Sequence, residues 1–328
     1  MDRTTFIAGA AAAAGISTAN VARASEGEIP KRRLGRTNER VSIVGLGGYH
    51  IGKPELTEAE SIALVHAAVD RGITFLDNCW DYNDGTSERR AGKALSVGGY
   101  RDRAFVMTKI DGRTAAAAKA QIDESLARFR TDRIDLLQFH ENIRPDDADR
   151  IFAPGGAFES AIAARRAGKI RFIGFTGHKD PRYHLHMIDV AARNGFTFDT
   201  VQMPLNVMDA HYNSFEQLVL PVALSHDMGV LAMKTFGDHH ILDTKVLAPV
   251  EMLHYGMNLP VSVVITGIDK REILDQAVLA ATTFRRLSAD RVAAMLAKTA
   301  GLARDGTTEL YKTTTVFDGT TQHPEWLG

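Results

Sequence analysis

Short runs of consecutive apolar residues alternate along this chain with longer stretches whose apolar positions recur every three or four residues. Runs of the first kind suit strands buried on both faces, and stretches of the second suit helices that lay one side on a core. The first helix falls over 58–70, where Ile62, Ala63, Val65, His66 and Val69 keep helical spacing, Thr57 stands as N-cap and Gly72 lies beyond the end. A strand over 73–76 follows, then helix 87–95, strand 105–108, helix 115–129 and strand 134–139. The alternation continues with helix 157–167, strand 170–175, helix 181–194, strand 200–202, helix 214–225 and strand 230–233. Helix 249–255, strand 261–265, helix 272–280 and a further helix over 287–302 complete it, before a Thr-rich tail to Gly328 that is expected as a loop over one rim. Ahead of all this, two short extended pieces flank the polar turn 35–38, and the second becomes the first buried strand.

Apolar strands alternating with helices imply an α/β protein with a parallel sheet, and about eight such units close naturally into a (β/α)8 TIM barrel with its helices outside. An open, doubly wound sheet is the competing architecture, but no G-x-G-x-x-G follows an early strand as a dinucleotide fold of that kind requires. The length of 328 residues suits one such unit, and 45% hydrophobic residues suit a globular core. A formal net charge of -1 supplies no electrostatic reason to expect nucleic acid. The lone cysteine, Cys79, excludes an internal disulfide and a multi-cysteine metal cluster from this chain. No metal is expected from the histidines either, since His184 and His186 stand two apart on a helix and face different sides.

Candidate chemistry stands at the ends of the strands. Asp77 and Tyr82 follow the run 73–76, Lys109 closes FVMTK and His140 closes IDLLQFH. On a parallel barrel the carboxyl ends of the strands carry the chemistry, so these four proton-handling side chains share one rim. Singly they read as a loop-capping acid, a rim aromatic, a surface charge and a hydrogen-bonded strand end; as an ordered set they point to an enzyme. Trp80 beside Tyr82 suits a substrate mouth or plain packing, His178 at the top of a strand faces cofactor or substrate, and Cys79 reads as a small buried hydrophobe.

The chain resembles the aldo-keto reductase family, through RRLGRTNERVSIVGLGG, the 77–82 segment, TSERRAGKAL, MTK, DLLQFH, GKIRFIGFTGH, VQMPLN and VVITGIDKREIL in that order. It lacks the cysteine-rich iron-sulfur segment of some relatives. The resemblance implies a hairpin cap at the barrel bottom and NAD(P)H-dependent, reversible reduction of a small aldehyde or ketone. Tyr82 would be the general acid, its pKa lowered by the Lys109 cation; Asp77 would hold that ammonium, and His140 would hydrogen-bond the substrate oxygen. The same resemblance puts Gln202, Asn206 and Thr176 near the nicotinamide, Met233 where relatives often stack an aromatic, and Lys234 beside it. Many members have Ser-Asn where this chain has Thr176 and Gly177. Gly267 and a helix starting near Arg271 suit phosphate contact through backbone amides, with Lys270 and Arg271 meeting the 2'-phosphate of NADP. Asp269 would repel that phosphate and favour NAD, so NADP is expected with NAD as the alternative. A non-catalytic nicotinamide-binding sensor or regulatory subunit is the second reading, motivated by Met233 and Gly177; the intact tetrad favours the enzyme.

Residues 1–24 differ from the rest: Arg3, then Phe6 and Ile7, the small apolar run AGAAAAAGI, and Ala22, Arg23 and Ala24 before Ser25. This resembles an export signal with an A-x-A cleavage site, too short and Ala-rich for a stable membrane insertion. RTTFI resembles a twin-arginine pattern with Thr4 in place of the second arginine. The expectation is a single barrel domain over 25–328, periplasmic or exported, and cytoplasmic if the leader is no functional signal. A protein that folds on its cofactor before crossing predicts a mature amino terminus at Ser25, cofactor retained in the exported form, and export lost in Arg3→Gln. Cell fractionation with amino-terminal sequencing checks this, and an intact Met1 found in the cytoplasm alone refutes it.

Overall fold

A computed structural model describes residues 27–328; the leader and its cleavage site lie outside the described residues. The hairpin comes first: β1 (Lys31–Arg33) and β2 (Arg40–Ser42) pair antiparallel around a 3-10 turn at Gly35–Thr37. The barrel strands follow as β3 (Val44–Gly47), β4 (Phe75–Asp77), β5 (Phe105–Ile110) and β6 (Ile134–Phe139). They continue as β7 (Ile170–Thr176), β8 (Thr200–Pro204), β9 (Gly229–Met233) and β10 (Val263–Gly267). These eight are parallel and joined in order, with β10 returning to β3, so the sheet closes on itself. This is the (β/α)8 barrel with a hairpin that the alternation implies.

Two apolar layers hold it. One lies between the strands and the surrounding helices; the other fills the barrel, with Phe75, Phe105, Met107, Leu136, Leu231, Val263 and Ile265 pointing inward. Leu34 and Val41 of the hairpin belong to that inner cluster, and both are almost wholly buried, so the hairpin corks the amino-terminal end of the barrel. Closing that end leaves the carboxyl ends of the strands as the open rim.

Several helix bounds coincide with the periodicity. Helix Glu58–Asp70 carries the Thr57 cap, reinforced by Glu60, whose carboxylate accepts from the Thr57 amide at 2.8 Å. Its buried side is Ser61, Leu64, Val65, Ala68 and Val69, so Ala63 faces solvent and His66 leaves the core to donate from Nε2 to the Ala94 carbonyl, 2.8 Å away. The expected single helix over 214–225 is two, Phe215–Leu218 and Leu220–Ser225, because Pro221 has no amide hydrogen to carry the first ladder into the second. The tail is not a loop: it forms short helical turns at Leu310–Thr313, Gly319–Gln322 and Pro324–Leu327 across the open rim. Among the described residues, no helix is long and apolar enough to cross a membrane.

Helix Thr86–Leu95 approaches the end of helix Ala115–Phe129 most closely at Gly92, where a Cβ would lie 2.2 Å from the Arg128 carbonyl oxygen and 2.6 Å from the Phe129 Cα. Backbone on the far side has no rotamer to yield. Gly92→Ala is therefore expected to destabilise the fold by about 1–3 kcal/mol despite the better helix propensity of alanine. A thermal melt checks it, and an unchanged or raised midpoint refutes the close approach.

Candidate active site

Side chains on a strand alternate between its two faces, and in this barrel that rule builds the site. Phe75 fills the barrel interior, so Asp77 is the next inward residue of β4; Phe105 and Met107 do the same below Lys109 on β5. Leu136 leads through Gln138 on β6 to His140 just past its end, and Leu231 to Met233 on β9. Thr176, Gln202 and Gly267 close the ring on β7, β8 and β10. The candidate residues thus form the uppermost inward layer of the same barrel whose lower layers are apolar.

At its centre is the Lys109 ammonium, almost wholly buried, which is bonded to Asp77 Oδ1 and donates to the Asn78 carbonyl at 2.7 Å. Its third contact is the Tyr82 hydroxyl at 3.2 Å, with the ammonium also 4.7 Å from the Tyr82 ring centroid. Gln202 Nε2 donates to the other Asp77 oxygen at 2.7 Å, which fixes the carboxylate from the far side of the barrel. Burial is the largest single influence and works against the charge on Lys109, but Asp77 with Tyr82 and Cys79 together outweigh it, and the ammonium is held above its ordinary pKa. For Tyr82 the balance differs from the sequence-based expectation. Burial drives the phenol well above its ordinary value, and the opposing pull of Lys109 does not overcome that. The ring sits edge-on to Tyr49 at 5.4 Å and to His140 at 6.1 Å.

His140 belongs to a second cluster that the motifs did not reveal. Its Nδ1 lies 2.9 Å from Asp111 Oδ1, 3.2 Å from Cys79 Sγ and 3.7 Å from Asp81 Oδ1. Burial lowers the imidazole pKa, yet Asp111 and then Asp81 raise it, and the net direction is upward. Burial also pushes up the Cys79 thiol, in keeping with its reading as an inert buried group. The strand ends are tied by Arg113, buried, which donates to the carbonyls of Asp111, His140 and Glu141 at 2.7, 2.8 and 2.9 Å and pairs with Asp147 at 2.9 Å. Asp111 had a readable signal, being the next residue of inward parity after Lys109; Asp81 had only its adjacency to Tyr82.

The expected cofactor residues divide. Gln202 faces the centre and leaves Oε1 buried with no protein partner among the described residues, and the Thr176 hydroxyl lies 3.9 Å from the Met233 sulfur. Asn206 is fully engaged: it donates to the Lys234 carbonyl and the Tyr311 hydroxyl and accepts from the Met208 and Asp209 amides. That makes it a joint between the rim and the tail. The Lys234 ammonium stands over the Tyr311 and Phe317 rings, at 5.2 and 4.7 Å, and burial lowers its pKa. Gly267 packs under His50, whose ring a Cβ there would meet at 2.2 Å. Lys270 and Arg271 are exposed at the start of helix Arg271–Thr283.

Of the two substrate candidates, His178 is bonded through Nε2 to Asp318 of the tail at 3.0 Å, and Trp80 lies at the mouth. There Trp80, Asp81, Asp84, Arg128 and Trp326 line a cleft of ≈ 170 Å³. A larger hollow at the hairpin end, lined by Ile29, Lys31, Asp70, Thr74 and Val278 among others, contains none of the site residues. The tail contacts at Tyr311, Asp318 and Trp326 have no motif in the sequence. Glu141 latches them by accepting from the Gly319 and Thr320 amides, each at 2.7 Å.

A parallel barrel with a buried Lys-Asp-Tyr centre and an adjacent histidine at its carboxyl rim defines a class, and the comparisons agree with it. A profile of the Aldo/keto reductase family matches residues 43–250, and the chain belongs to that family. It is 31% identical over 212 residues to "Aldo-keto reductase YhdN" of Bacillus subtilis (strain 168), covering 60% of this chain and 58% of that one. It is 31% identical over 159 residues to "L-galactose dehydrogenase" of Arabidopsis thaliana, covering 46% of this chain and 49% of that one. The chain thus spans about half the length of the curated relatives it matches. Its fold is similar to that of aldo-keto reductase AKR11C1 from Bacillus halodurans (holo form), with a TM-score of 0.70 and 21% identity over 86% of this chain and 100% of that one.

Proposed function

We propose that the chain reduces a small aldehyde or ketone to the alcohol, reversibly, with a nicotinamide cofactor. The observation that carries this is the Lys109 ammonium held between Asp77 and the Tyr82 hydroxyl, with His140 alongside. The residues around that centre fit a nicotinamide: Gln202 Oε1 is buried without a protein partner among the described residues and can accept from the carboxamide N–H of the ring. Gln202, Thr176 and Met233 would hold the ring, and Gly267, Lys270, Arg271 and Lys234 the phosphates. Asn206 would support them from behind. When bound, the reduced cofactor supplies a hydride to the carbonyl carbon.

Everything else falls to the chain. The carbonyl oxygen, which gains negative charge as the carbon is reduced, takes its proton from the Tyr82 hydroxyl. Because burial holds the phenol well above its ordinary pKa, Tyr82 keeps its proton through the neutral range and releases it only to a strongly basic, developing alkoxide. The phenolate left behind lies 3.2 Å from the Lys109 ammonium, which stabilises it until solvent returns the proton. His140 binds the same oxygen, and Trp80 and His178 bound the mouth. Secretion through the leader would require the cofactor to travel with the folded protein.

Tyr82→Phe preserves the ring packing and removes the donor. Turnover with NADPH and an aldehyde panel is expected to fall by a factor on the order of 100 or more, with NADPH affinity nearly unchanged. Undiminished turnover removes Tyr82 from the chemistry. NADP is the preferred cofactor on the strength of Lys270 and Arg271, and exposed Asp269 is the residue that weakens the preference. Asp269→Arg should raise the ratio of NADPH to NADH in kcat/KM by about tenfold, as attraction replaces repulsion at the 2'-phosphate. A ratio that does not move puts Asp269 away from that phosphate.

A further inference from the structure

A carbonyl oxygen can only accept a hydrogen bond, so His140 assists reduction only if the ring nitrogen that faces it carries a proton. The other nitrogen is already committed. Nδ1 lies 2.9 Å from Asp111 Oδ1, and a buried carboxylate only accepts, so Nδ1 is the donor in that bond. Neutral imidazole has a single N–H. With that hydrogen on Nδ1, Nε2 would present a bare lone pair to the substrate oxygen and repel it.

We infer that Asp111, assisted by Asp81, is a positioning residue that keeps His140 as the imidazolium, so that Nδ1 and Nε2 both donate, one to Asp111 and the other to the substrate carbonyl. The catalytic consequence rests on the reductase reading; the electrostatic one does not.

The groups packed around the ring account for the charge. From the end of β5 comes Asp111, fully buried, with Oδ1 on Nδ1 and Oδ2 free of any hydrogen-bond partner among the described residues. From the segment after β4 come Asp81, whose Oδ1 is 3.7 Å from Nδ1 and likewise has no hydrogen-bond partner, and the Cys79 sulfur at 3.2 Å. Glu141 follows His140 just beyond the end of β6. Against these stand two cations, both committed elsewhere: Lys109 to Asp77, the Asn78 carbonyl and Tyr82, and Arg113 to Asp147 and three backbone carbonyls. A buried carboxylate and a half-buried one around one imidazole favour its proton, and the imidazole is both the strongest base and the group central to the cluster. The upward shift of His140, against its own burial and due chiefly to Asp111 and Asp81, has the same sign. Asp81 is itself pushed up by burial and by Asp111.

The pH dependence follows. A group whose pKa is raised above its ordinary value is charged below that raised pKa and loses the charge as pH climbs through it. Turnover in the reductive direction should therefore fall on an alkaline limb set by His140. The Tyr82 phenol titrates far above that range and does not produce the limb.

The test is the ring titration of His140 in the full chain with NADPH present, by 15N NMR of histidine-labelled protein assigned with His140→Gln. The expected result is imidazolium at both ring nitrogens at neutral pH, with a midpoint above the ordinary ~6.5. In Asp111→Asn the proton affinity should fall by about tenfold or more, and the alkaline limb of kcat for aldehyde reduction should move to lower pH by the same amount, with KM for NADPH little changed. A purely structural role for Asp111 would not move the limb. A neutral His140 at pH 7 in the unmodified protein overturns the inference, as does an Asp111→Asn protein in which midpoint and limb stay in place. Should Asp111→Asn fail to fold, the titration of the unmodified protein decides, with Asp81→Asn expected to give a smaller shift in the same direction. A charged His140 in a protein that reduces no carbonyl would sustain the electrostatic inference and defeat the reductase reading. A neutral His140 in an active reductase would do the reverse.

Discussion

A lysine ammonium inside a barrel cannot stand alone, because removing it from water costs several kcal/mol unless charge and hydrogen bonds are returned to it. Lys109 is almost wholly buried, and the three partners it finds are Asp77, the Asn78 carbonyl and Tyr82. Satisfying it ties the end of β4 to the end of β5, and Gln202 carries the tie across the barrel to β8 through the second oxygen of Asp77. The requirement to pair one cation thus fixes where the phenol sits.

Two charge centres result, adjacent but built differently. In the first, a cation is neutralised by one carboxylate, and the phenol next to it feels burial more strongly than it feels the cation, so it stays protonated. In the second, carboxylates outnumber the base between them, and the imidazole is pulled toward its charged form. Both centres therefore hold protons at the face that the substrate oxygen would meet. Arg113 keeps them in register by binding the carbonyls of Asp111, His140 and Glu141 together while Asp147 balances its charge.

The tail finishes the rim through polar contacts of the same buried kind. Lys312 pairs with Asp209 at 2.7 Å, Tyr311 meets Asn206 at 2.8 Å, and Asp318 pairs with His178 and Lys179 at 3.0 and 2.8 Å. Trp326 sets its ring edge-on to Trp80 at 5.8 Å. Asn206 and His178, expected near a ligand, thus also hold the tail, and Trp326 joins Trp80 at the mouth.

The sequence by itself determined the barrel and its tetrad. Hydrophobic period distinguishes helix from strand wherever one face is buried, the alternation of the two admits few closures, and Asp77, Lys109 and His140 are recognisable because each lies at or directly after the end of an apolar strand, with Tyr82 in the segment that follows Asp77. Only the tertiary structure decided what those side chains meet. The latch at Glu141 and the cluster of Cys79, Asp81 and Asp111 on His140 depend on residues far apart in the chain. The same holds for the direction of the Tyr82 shift. A motif records that a lysine is near, but whether its field outweighs desolvation depends on how much water the surrounding chain excludes, and that is a property of the packed molecule.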